Sequence, residues 1–168
     1  CYVKSNGTFH STVGMLHELI VTDSGSAATP PDANMTLAVS ADGYDIVDGS
    51  LMPGHNTIRV EYREQAVYGN FVGHDVHIVQ LDADADTAAI SNWMDWRRPD
   101  GLDTATTPAR FVGGLNEMPA GTGGYFTAEL APGEDALIAG IPDPVEAGFY
   151  LPITVAAEEA MPEAAGGG

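Results

Sequence analysis

The sequence predicts an all-β fold, a Greek-key sandwich with one short helix and an N-terminal extension. Three observations carry this. Apolar and polar residues alternate in short runs from Asn34 onward. Asp-Gly and Pro-Gly pairs punctuate those runs. Gly 20 and Pro 11 in 168 residues is a composition of strands and turns, not of long helices.

Met35, Leu37 and Val39 alternate with Thr36, Ala38 and Ser40, the period of a strand with one face inward. Asp42-Gly43 is a turn signal, and Tyr44 to Val47 is a short second strand. Pro53-Gly54 turns into a strand in which Ile58, Val60 and Tyr62 share a face. Val76, Ile78 and Val79 mark the next strand, ending at Leu81. Asp84 or Asp86 then caps a short helix covered by Ala88, Ala89, Ile90, Trp93 and Met94. A loop rich in Thr, Gly and Pro is expected to run to about Gly124. Strands follow at Tyr125–Leu130, Ala136–Ala139 and Leu151–Ala156.

Ahead of this domain, Phe9, Val13, Leu16 and Ile20 recur at helical spacing, with Ser11 or Thr12 available as a cap. Leu19-Ile20-Val21 could equally begin a strand. Residues 23–33 are turn formers and small residues. The expected organisation is an anchor or extension with its linker at 1–33, the sandwich at 34–157 and a flexible tail at 158–168.

Asp+Glu 24 against Lys+Arg 6 gives a formal net charge of -18. That excludes nucleic-acid binding, which needs clustered Lys and Arg. It also excludes adhesion to an anionic lipid surface by charge alone. The carboxylates are scattered, which reads as a solvated surface rather than a focused cation site. No run is long and apolar enough to span a bilayer. The single cysteine is Cys1, so no internal disulfide can form. A chain beginning with Cys resembles a mature bacterial lipoprotein. The resemblance implies lipid on Cys1 and a periplasmic or extracellular location, anchored to the membrane. The alternative is an arbitrary truncation.

Three segments together resemble a cupredoxin. The first is Ser50-Leu-Met-Pro-Gly-His-Asn-Thr-Ile-Arg-Val-Glu-Tyr62. The second is Gly73-His-Asp-Val-His-Ile-Val79, similar to the family segment in which a histidine ligates copper. The third is Leu130-Ala-Pro-Gly133, Ala136 to Pro142 and Ala147-Gly-Phe149, similar to the closing hairpin that supplies cysteine, histidine and usually methionine. The likeness covers about residues 34–156 and implies a cupredoxin-like sandwich. Carried across, His74 matches the first histidine. Ala139 stands at the cysteine, the loop after it has no histidine, and Phe149 stands where methionine is common. A blue-copper site needs two imidazoles and a thiolate with a weak axial thioether. The expectation is therefore no copper cofactor; no nucleophile-base motif, phosphate loop or paired-carboxylate signature occurs, so no catalysis is expected either.

Other metal sites are open only through His74, His77 and His55, with His10 and His17 as further candidates, and these lack metal-motif spacing. Residues three apart on a strand face opposite sides, so His74 and His77 serve one metal only if His74 precedes the strand. Asp82, Asp84 and Asp86 lack the further ligands and the glycine of a calcium loop. Trp93, Trp96, Arg97 and Arg98 combine the residue types of interface anchors. With Phe9, Val13, Leu16 and Ile20 they are the candidate contacts for a protein partner in a membrane complex. The expected role is an accessory or structural subunit. The alternative is a periplasmic copper-binding or carrier protein using His74 and other histidines.

Overall fold

In the computed structural model the described residues are 4–20, 25, 28–68, 73–95 and 106–157. The chain divides into two compact units, Cys1–Pro30 and Pro31–Gly168.

In the first unit, strands β1 (Lys4–Ser5) and β2 (Thr8–Phe9) form a small hairpin, joined by a turn at Asn6-Gly7. Both turn residues have positive φ, 52° at Asn6 and 80° at Gly7, as a two-residue hairpin turn requires. A single 3-10 turn follows at His10–Val13, closed by Gly14 in the left-handed region. This corrects the helix expected through Phe9, Val13, Leu16 and Ile20. Phe9 is extended, Thr12 Oγ1 donates to its carbonyl, and Gly14 stops the turn before the apolar spacing can continue as a helix.

The second unit is a sandwich of two four-stranded sheets. One sheet has the order β4-β3-β5-β8, from β3 (Met35–Ser40), β4 (Gly43–Gly49), β5 (Gly54–Tyr62) and β8 (Thr122–Leu130). The other has the order β10-β9-β6-β7, from β6 (Val76–Leu81), β7 (Arg110–Leu115), β9 (Gly133–Ile138) and β10 (Tyr150–Val155). β3 and β5 run parallel and every other pair is antiparallel. The chain crosses between sheets from β5 to β6, back from β7 to β8, and over again from β8 to β9. Burial follows the alternation: Leu37, Val39, Ile58, Val60 and Tyr62 are all within 1% of complete burial. They meet Val76, Ile78, Leu137, Ala139 and Phe149 of the opposite layer in one core.

A second, smaller core lies on the outer face of the β6–β9 sheet. There α1 (Thr87–Met94) sets Ile90 and Met94 against Val79, Ala136 and Ile138. Asp86 caps α1 by accepting from the amides of Ala88 and Ala89.

The loop expected up to about Gly124 holds a strand, β7. Its sequence, Arg-Phe-Val-Gly-Gly-Leu, loses the alternation signal at Gly113-Gly114. Those glycines answer a packing demand. A Cβ on Gly114 would stand 2.6 Å from the Val76 carbonyl, and one on Gly113 would stand 3.0 Å from the Thr127 carbonyl.

Candidate functional site

The candidate site lies where the segment before β6 meets the loop between β9 and β10. His74 precedes β6, so the objection to a shared face with His77 does not apply by strand geometry. It is only 1% exposed. Its main chain is clasped by Gln65: the His74 amide donates to Gln65 Oε1 at 2.8 Å, and Gln65 Nε2 donates to the His74 carbonyl at 2.8 Å. The same Nε2 also donates to the Met118 carbonyl at 2.9 Å.

The imidazole sits among aromatic rings. Its centroid is 4.1 Å from that of Phe149 at an interplanar angle of 33°. Tyr68 Oη lies 3.1 Å from His74 Nε2. Tyr44 meets Phe149 edge-on at 5.2 Å. His74 Nδ1 is buried with no hydrogen-bond partner. A neutral imidazole has one proton and one lone pair on its two nitrogens, so whichever falls on Nδ1 goes unanswered. Burial pushes the His74 pKa below its ordinary 6.5, and the Asp75 charge offsets part of this.

Asp75 ties the two segments together. Its Oδ1 accepts from the Gly140 amide at 2.7 Å, and its Oδ2 is 2.9 Å from His77 Nε2. The Asp75 carbonyl accepts from Tyr44 Oη. The Tyr44 and Tyr62 hydroxyls both have pKa values raised, first by burial and then by the Asp75 charge. They therefore act as neutral donors, Tyr62 to the carbonyls of Leu115 and Asn116.

The loop 140–148 turns on itself, with Ala147 donating to the Asp143 carbonyl and Phe149 to that of Pro144. It presses on the β3–β4 turn. A Cβ on Gly148 would stand 2.2 Å from the Asp42 carbonyl, and one on Gly43 2.1 Å from that of Gly148, so neither position has room for a side chain. Beside the site, Gln65, Val67, Gly73, Glu117, Met118 and Pro119 line an apolar cleft of about 240 Å³. That is smaller than the ~300–1,000 Å³ of ordinary small-molecule pockets.

No protein-family profile matches the chain. No curated protein matches it either. Solved structures do. Dithionite-reduced auracyanin from the photosynthetic bacterium Roseiflexus castenholzii, a cupredoxin, superposes with a TM-score of 0.50 at 16% identity. The match covers 73% of this chain and 95% of that one. The fold is cupredoxin-like. Auracyanin B (22% identity, TM-score 0.48, covering 80% of this chain and 96% of that one) is a further match. So is an azurin from the methylotroph Methylomonas sp. strain J (13% identity, TM-score 0.49, 74% and 96%).

In this cupredoxin-like domain, the three positions aligned with copper ligands by resemblance come together. His74 stacks on Phe149, and the Ala139 amide donates to the Phe149 carbonyl at 3.1 Å. Between them they carry one imidazole, one methyl group and one phenyl ring. Neither His77 nor His55 joins this group. His77 is half-buried on β6, edge-on to Phe111 at 6.0 Å. His55 is exposed at the start of β5, 3.7 Å from Glu129. Among the described residues no three or more His, Cys, Asp or Glu side chains are grouped to hold a metal ion.

Of the candidate partner contacts, Phe9 (40%), Val13 (68%), Leu16 (78%) and Ile20 (83%) are exposed. Trp93 is half-buried, with its ring 5.4 Å from Phe111 and its Nε1 buried without a partner; it packs α1 onto the sheet. Trp96, Arg97, Arg98 and Cys1 lie outside the described residues. No helix among the described residues is long and apolar enough to cross a membrane.

Sequence reasoning singled out His74 but missed Asp75, Tyr44, Tyr68 and Gln65. An acid immediately before an apolar strand was the available signal for Asp75. Two of its partners, Tyr44 and Gly140, lie 31 and 65 residues away in sequence, beyond any local pattern.

Proposed function

We propose that the chain is a non-catalytic, extracytoplasmic cupredoxin-like lipoprotein without type 1 copper, an accessory or structural subunit of a membrane complex. The observation that carries this reading is the His74–Phe149 stack, with Ala139 at the remaining ligand-like position. A type 1 centre needs a thiolate and a second imidazole, and these residues do not fit it. Phe149 closes against His74 with its face, where a metal would need an open donor. The exposed apolar residues of segment 9–20 support a docking role, and the lipid on Cys1 is part of the same proposal.

Copper titration of the purified chain is the direct test. No intense visible absorption band is expected, and such a band overturns the reading. For the docking role, deleting residues 1–22 is expected to release the domain from its partner during co-purification. Unchanged recovery of the partner counts against it.

A second reading has its own observation, the unpartnered His74 Nδ1. In a copper carrier this atom would hold the metal with donors from other histidines. Tight colourless binding abolished by His74→Ala would favour the carrier over the accessory subunit.

A further inference from the structure

Two Asn-x-Ser/Thr sequences occur in the chain, Asn6-Gly7-Thr8 and Asn34-Met35-Thr36. This tripeptide is the acceptor pattern for N-linked sugar: the first residue supplies the amide nitrogen and the third a hydroxyl that the transferring enzyme reads. Pattern alone does not choose between the two. Their surroundings do.

Asn34 is engaged. Its Oδ1 accepts from the Thr57 amide at 2.7 Å, fixing the start of β3 against β5. Its carbonyl accepts from the Ser50 amide at 3.1 Å. The next residue, Met35, is 1% exposed and Thr36 is half-buried within the sheet. An enzyme could reach this tripeptide only by pulling β3 out of the sandwich.

Asn6 is placed in the opposite way. It sits at the tip of the β1–β2 hairpin, and Asn6, Gly7 and Thr8 are all exposed. A Cβ built on Gly7 meets nothing within 4 Å, so the tip is uncrowded between Asn6 and Thr8. Asn6 and Gly7 form the turn and Thr8 begins β2, so amide and hydroxyl belong to one short exposed protrusion.

We infer that Asn6 is an N-glycosylation site and that Asn34 is not. The donor class is an oligosaccharide linked through phosphate to a lipid. In the transfer, Asn6 Nδ2 forms a bond to the anomeric carbon of the sugar. The bond from that carbon to the phosphate oxygen breaks, the phosphate leaves with the electron pair, and the amide nitrogen gives up one proton to a base. Nothing is oxidised or reduced. The inference rests on the extracytoplasmic placement proposed above, because the transfer takes place on chains exported from the cytoplasm.

The test is peptide mass mapping of the full chain isolated from its own cells, with external protease added in parallel to cells stripped of any outer membrane and wall, so that every extracytoplasmic chain is reachable. The expected result is a sugar mass on the peptide containing Asn6 and none on the peptide containing Asn34. It should disappear in Asn6→Gln and in Thr8→Ala and persist in Thr8→Ser, which keeps the hydroxyl. Bare Asn6, or sugar on Asn34 instead, overturns the inference. If Asn6 is bare and the chain is cleaved by external protease, the glycosylation inference alone falls. If it is bare and the chain is protected, the extracytoplasmic reading falls with it.

Discussion

Phe149→Ala is expected to destabilise the domain by about 3–5 kcal/mol, the cost of emptying a fully buried aromatic position in a core that relaxes only in part. Phe149 is 1% exposed and touches two layers, the His74 ring at 4.1 Å and the Tyr44 ring at 5.2 Å. Its neighbours have little freedom to fill the gap. Gln65 and Asp75 hold the segment on one side, and the Gly43–Gly148 contact fixes the loop on the other. A loss of this size is a large share of the ~5–15 kcal/mol that stabilises a typical domain. Denaturant unfolding followed by tryptophan fluorescence measures it. A loss below about 1 kcal/mol would show that the ring is not the centre of the packing.

The same variant has a signature in protonation. Burial is the main reason His74 titrates low, so water entering the vacated space should bring its pKa back toward 6.5. The sign for the intact protein follows. A histidine with a lowered folded pKa favours its neutral form on folding. Its contribution to stability is present above 6.5 and is lost as pH falls from there through the folded value. Phe149→Ala should flatten that part of the stability profile. Imidazole proton shifts across pH 4–8 would record both effects.

Asp135→Asn is expected to stabilise the protein at neutral pH, because it keeps the size of the side chain and removes a buried, unpaired charge. Asp135 is 1% exposed on β9, and neither carboxylate oxygen has a hydrogen-bond partner. Its cross-strand neighbours are Gln80 on β6 and Ile153 on β10, and Gln80 Oε1 accepts from Arg110 at a long 3.5 Å. Burial, then the Glu134 charge, pushes the Asp135 pKa above its ordinary 3.8. The folded state therefore holds its proton more tightly than the unfolded chain. This destabilising contribution grows as pH rises from 3.8 through the folded value. The advantage of asparagine should shrink as pH is lowered toward 4. Melting of the two proteins at several pH values tests it, and a gain independent of pH would sink the charge-based explanation.

The sandwich was largely legible because its central strands obey simple alternation. Met35, Leu37 and Val39 in β3, and Ile58, Val60 and Tyr62 in β5, are buried as their period requires. The Asp86 cap was legible too, since the residue types at a helix start are few. What failed locally failed through glycine. Gly113 and Gly114 disguise β7 because their lack of side chain serves neighbouring strands. Gly14 ends a turn whose apolar spacing mimicked a longer helix. At the site, His74 was found through resemblance, and its burial against Phe149 has no local sign. The contacts that define its surroundings join β3–β4, the segment before β6 and the loop before β10. Distant pairs of that kind carry no periodicity to read.

The Gln65 clasp bears on how such a chain changes over generations. The bonds that fix position 74 run from Gln65 to main-chain atoms and never touch the ring. These two bonds are thus available to any side chain at position 74, although the buried ring itself packs on Phe149 and meets Tyr68. A lineage can exchange the side chain there while the Gln65 bonds to the main chain are kept. In that respect the scaffold separates the inheritance of shape from the inheritance of chemistry.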